Sequence, residues 1–128
     1  MNLNNFSVFI GRLASDPKFF DNADGSRKCR ITLMCEDNYA VGGVRGKTSI
    51  QAERFLRAGS EPGVFGLIHQ GDLIMIQTTA KNNNWEDKDG AKHYDVINQI
   101  DQVEMLETKA VTAARLAEKQ AAAAGSAE

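Results

Sequence analysis

Two cysteines, two prolines and one tryptophan are all that 128 residues hold of these types, and each scarcity excludes something. Cys29 and Cys35 lie six positions apart. Within one strand that is roughly 20 Å, beyond disulfide reach, so both read as reduced core thiols. With His69 and His93 they offer none of the close ligand pairs of a zinc knuckle, so no metal and no cofactor is expected. His69 sits at an apolar-to-turn junction and His93 at a strand start. Neither stands near a serine or cysteine nucleophile motif, and a non-enzymatic protein is expected. No window approaches 18 uninterrupted apolar residues, and Met1-Asn2-Leu3-Asn4-Asn5 has neither a basic n-region nor an apolar core. The expectation is a cytoplasmic protein without a membrane segment.

A strong charge of one sign is also missing, since the net charge is only −2. The mean hides a dipole. From Arg27 to Arg57 seven basic residues face three acidic ones, whereas from Glu86 to Glu104 six acidic residues face two lysines. The basic middle is where a phosphate backbone would be drawn, although a solvated strand face would look the same. What is present in ordinary measure is core: 42% hydrophobic and 25% charged residues suit one soluble domain.

The chain reads as a succession of short strands. Phe6 to Leu13 alternates, with Gly11 marking a bulge or a close backbone approach. Pro17 breaks the run, and Asn22-Ala23-Asp24-Gly25 supplies a reversal. Cys29, Ile31, Leu33 and Cys35 then alternate with Lys28, Arg30, Thr32, Met34 and Glu36, giving a second strand with one core face and one basic face. Asp37 to Gly46 reads as a mobile glycine-rich loop. Lys47 to Ala52 is a third strand, and Glu53 to Gly59 either extends it or forms a helical turn ended by Gly59. The stretch Ser60 to Gly66 is too broken for more than a short helix or turn.

Leu73 to Ala80 and His93 to Ile100 are the arms of a long hairpin that reverses at Glu86-Asp87-Lys88-Asp89-Gly90. Trp85 and Tyr94 lie on its two arms. Aromatic rings in so polar a segment suit a planar ligand such as a nucleic-acid base, while the alternative is that Trp85 folds back to cap the core. Five short strands, with a short helix or turn between the third and fourth, are the order of an all-β OB-fold, a small Greek-key barrel. The globular domain is expected to span residues 1–106. Residues 107–128 form an alanine-rich tail, helical or disordered, with little apolar area to bury.

The ordered set Val8-Phe9-Ile10-Gly11-Arg12-Leu13, Asp16-Pro17, Ile31-Thr32-Leu33, Gln70-Gly71-Asp72-Leu73 and Trp85-Glu86-Asp87-Lys88-Asp89-Gly90 with Tyr94 resembles the bacterial single-stranded DNA-binding protein family. The likeness covers about residues 5 to 106. It implies a homodimer or homotetramer that coats single-stranded DNA with little sequence preference, in replication, recombination or repair. It implies base stacking at Tyr39, Ile50, Phe55 (or Leu56) and Trp85, and, with strand alternation, a basic strip of Arg12, Arg30, Lys47 and Lys81. Lys88 and Tyr94 complete the expected contacts. Ile50 has no aromatic face, and Asn82-Asn83-Asn84 replaces a usually basic stretch, so a looser grip is implied. The family's acidic tail tip, which recruits replication and repair proteins, is not matched by Gly125-Ser126-Ala127-Glu128, which marks a divergent member. A second class on the same fold is a primosome-type adaptor that binds a replication protein first and DNA weakly.

Overall fold

The computed structural model describes residues 3–126, so the expectations placed on Met1-Asn2 and on Ala127-Glu128 lie outside the described residues. Six strands and one helix follow one another: β1 (Ser7–Leu13), β2 (Lys18–Asp21), β3 (Arg27–Val41), β4 (Val44–Leu56), β5 (Leu73–Glu86), β6 (Lys92–Met105) and α1 (Lys109–Ser126). A single 3-10 turn, Gly63–Gly66, lies between β4 and β5. The sheet order is β1-β5-β6-β4-β3-β2, and a further pairing of β1 with β3 closes it. Strands β1, β3, β4, β5 and β6 thus close a five-stranded barrel, consistent with an OB-fold, and β2 lies outside it on β3.

Alternation builds the interior. Cys29, Ile31 and Leu33 of β3 and Ile74, Ile76 and Thr78 of β5 point inward, where they meet Leu13, Ala52, Leu56, Phe65, Ile68 and Ile100. Burial pushes the Cys29 thiol up to about 11, and that of Cys35 upward as well, so both are poor nucleophiles. Closure of the barrel depends on Gly11. A Cβ there would stand 2.4 Å from the Met34 carbonyl oxygen, a separation that only glycine permits.

Two segments differ from the sequence reading. Lys18–Asp21, for which the sequence suggested no element, is a strand paired with Arg27–Arg30 of β3, while the break at Pro17 does end the first strand, at Leu13. Asp37 to Gly46 is not a loop. Strand β3 runs on to Val41 and β4 begins at Val44, joined by Gly42-Gly43 at φ 62° and 80°, the positive φ pair that a two-residue hairpin needs. A register irregularity between Glu36 and Ala40 twists this hairpin, and the Thr48 hydroxyl donates to Asp37 across it. Of the two readings of Glu53 to Gly59, the strand holds as far as Leu56.

Strands β5 and β6 outrun the barrel. Their register shifts between Gln77 and Thr78, leaving Asp101 as the extra residue, and from Ala80 onward β5 is exposed on both faces. An isolated two-stranded ribbon has little stability of its own. Asn5 braces this one where it leaves the barrel: its side-chain amide donates to the Ala80 carbonyl at 2.8 Å and its carbonyl accepts from the Ala80 N–H at 2.9 Å.

At the opposite end the chain past Leu106 returns onto the barrel. Glu107 accepts from the Leu73 N–H at 3.0 Å, from Arg12 at 3.2 Å and from both terminal nitrogens of Arg115 at 2.8 and 2.7 Å. Arg115 also reaches the buried Asp72 at 3.0 Å, and Lys119 donates to the Gln70 carbonyl. The expected boundary at Leu106 therefore runs beside an ion cluster that ties α1 to β1 and β5. No helix among the described residues is long and apolar enough to cross a membrane.

Candidate nucleic-acid interface

One outward-facing stripe brings Phe20, Phe55 and Trp85 together with Lys28, Arg30 and Lys81. Register pairs Phe20 of β2 with Lys28 of β3, and Lys28 with Phe55 of β4, so the three stand side by side across three strands. The Lys28 ammonium lies 5.5 Å and the Arg30 guanidinium 5.2 Å from the Phe20 ring centre. Phe55, 60% exposed, opens onto a groove of about 390 Å³ lined by Lys28, Glu53, Lys81, Asn82, Asn83, Ile97 and Gln99. The parallel contact Glu53–Gln99 carries the stripe from β4 to β6. It then runs out along the ribbon through Lys81 and Asn83 to Trp85, with Ile97, Asp95 and His93 opposite.

Charge along the stripe is partly spent. Arg30 donates Nε and Nη2 to Glu53 at 3.1 and 2.9 Å, and Lys28 stands 3.9 Å from the same carboxylate. Lys81 has no ion-pair partner among the described residues. Lys81 and the Glu53-linked Lys28 are thus the cations that line the groove, while the neutral amides of Asn82, Asn83 and Gln99 occupy the remaining wall.

Trp85 does not cap the core. It is 47% exposed, stacked on His93 with ring centres 4.1 Å apart and planes 13° from parallel, and its indole N–H donates to Asp95 at 3.0 Å. His93 Nε2 meets Asp87 at 2.8 Å. That bond, followed by the Ala91 backbone N–H, holds the Asp87 carboxyl below the usual carboxylate range.

The other expected contacts scatter. Arg12 donates to the Gly71 carbonyl at 2.9 Å and to Glu107, at the α1 end of the barrel. With Lys47 it lines a second groove beside Ile10, Met34, Glu36 and Leu73. The four basic residues expected to form one strip are therefore two groups, Arg30 with Lys81 and Arg12 with Lys47. Ile50 is opposite Leu33 and packs against the core, so it is not on the outer face. Tyr39 is 83% exposed on the β3–β4 hairpin, and Lys88 lies in the β5–β6 turn. Tyr94 is 72% exposed, but it pairs with Asn84 and so projects from the opposite face of the ribbon to Trp85. Sequence reading passed over Phe20, Lys28, Ile97 and Gln99. Lys28 carried a signal, since it shares the alternation of Arg30.

A small closed barrel with an exposed aromatic and cationic stripe defines an oligonucleotide-binding type of protein. The chain belongs to the Single-strand binding protein family, whose sequence model matches residues 3–106, and is thus a member of the single-stranded DNA-binding proteins. No curated protein matches it.

Proposed function

We propose that this protein coats single-stranded DNA with little sequence preference, in replication, recombination or repair, and performs no catalysis. Bases stack on Phe55 and Trp85, and phosphates are drawn to Lys28, Arg30 and Lys81. The observation that carries this reading is a pair of open rings along one stripe, Phe55 on the groove beside the barrel and Trp85 two residues beyond the groove's Asn83 on the β5 arm of the ribbon. Tyr39, Lys47 and Lys88 lie along the hairpins on which a longer strand would continue. Trp85 is the only tryptophan, so its emission reports on one site. Titrating oligo-dT should quench it to saturation, and Trp85→Ala should weaken binding by about 1–3 kcal/mol with the melting temperature retained. Unquenched emission together with undiminished affinity would remove the stacking mechanism. Capture of a replication protein without DNA would then favour the adaptor class.

We also propose a homodimer or homotetramer. Val8 and Ile10 expose apolar side chains on the outer face of β1, next to Met75. Among the described residues that strand pairs on its β3 side at Arg12 and Leu13 alone, which leaves the edge from Ser7 to Gly11 open. Light scattering at micromolar concentration should give a mass of two or four chains, and a monomer would refute this assembly.

A further inference from the structure

We propose that His93 is a positioning residue for the Trp85 stacking platform, an inference that rests on the reading just given. An indole on an exposed ribbon is free to sample several rotamers, and freezing one on binding subtracts from affinity. Here the ring is already held. One face lies on the His93 imidazole at 4.1 Å, and its N–H is bonded to Asp95 at 3.0 Å. The imidazole is in turn fixed by Asp87 at 2.8 Å. Asp87 is itself set by the turn, accepting from the N–H groups of Asp89 and Ala91, both at 2.9 Å. The chain of contacts leads from a tight turn to an indole with one face covered. Only the other face remains for a base, so an incoming base completes a three-layer stack of base, indole and imidazole.

The acidity of the hairpin fits this role. Asp87 and Asp95 flank the platform and disfavour phosphate beside it, which turns the base rather than the backbone toward Trp85. The backbone is left to Lys81 and Lys28 further down the groove.

The test compares His93→Ala, His93→Phe and Trp85→Ala in the full chain, with oligo-dT as the probe. His93→Ala should make free Trp85 more accessible to acrylamide and weaken the near-ultraviolet circular dichroism of the indole. It should also lower affinity roughly three- to tenfold, the range of one lost aromatic pair, with the melting temperature unchanged. His93→Phe, which keeps a flat ring beneath the indole, should restore all three readouts. If Trp85→Ala binds weakly while His93→Ala binds like wild type, the positioning role is refuted and the stacking reading stands. If His93→Phe restores the indole signals but not the affinity, His93 contacts DNA directly and the proposal fails. Wild-type affinity in Trp85→Ala would overturn the stacking reading, and this inference with it.

Discussion

Gly11 shows how much can rest on a missing side chain. Its Cα faces the Met34 carbonyl oxygen where β1 crosses from β5 to β3, and a methyl group there would force the two strands apart. Gly11→Ala should therefore destabilise the barrel by about 1–3 kcal/mol, read as a lower urea midpoint. An unchanged midpoint would mean that the closure yields without cost. Sequence reading saw a special glycine here but could not choose between a bulge and a close approach, because Met34 is distant in the chain. Ile50 illustrates the same limit. Thr48-Ser49-Ile50-Gln51 has no apolar alternation to say which face is core, and only register against Leu33 turns Ile50 inward and leaves Phe55 outward. The partners of Arg12 were equally invisible, since Glu107 lies 95 positions away.

An ion cluster ties the helix α1 to the barrel. Hydrogen bonds from Arg115, then from the Leu73 N–H, lower Glu107 to about 2 against an ordinary 4.5, and Arg115 is raised in turn. Because the folded state holds Glu107 deprotonated where the unfolded chain binds a proton, this cluster contributes its full stability above about pH 4.5 and loses it as pH falls toward 2. Helical circular dichroism and thermal stability should fall over that window, and Glu107→Gln should start lower at pH 7 and lose less on acidification. Parallel acid profiles for the two proteins would show that the cluster does not fasten the helix. At this scale, strands with one buried face were legible: Lys28 to Glu36 and Leu73 to Ala80 announce themselves by alternation. The β3–β4 hairpin was not, because both its faces meet water and no periodicity marks it. Strand β2 was hidden by its length, four residues beside a proline.

For the whole molecule, the balance of charge sets the character of binding. With Lys28 and Lys81 lining the groove and Arg30 beside it on Glu53, log K for single strands should fall with log salt at a slope of about 1.4, or about 2.1 if Arg30 joins, shallower than a fully basic groove would give. Filter binding or fluorescence titration across salt concentrations measures it. A slope near zero, or equal affinity for duplex, would remove the phosphate-tracking mechanism. The brace that Asn5 places on Ala80 has a mechanical consequence. With the bulge at Asp101 it makes a fulcrum, and the ribbon beyond it is a lever about 17 Å long to Trp85. On such an arm a tilt of about 10° carries the indole about 3 Å. A ribbon that pivots in this way would vary the gap between Phe55 and Trp85 without bending either strand, and slower deuterium exchange of the Ala80 amide on DNA binding would register the arm coming to rest.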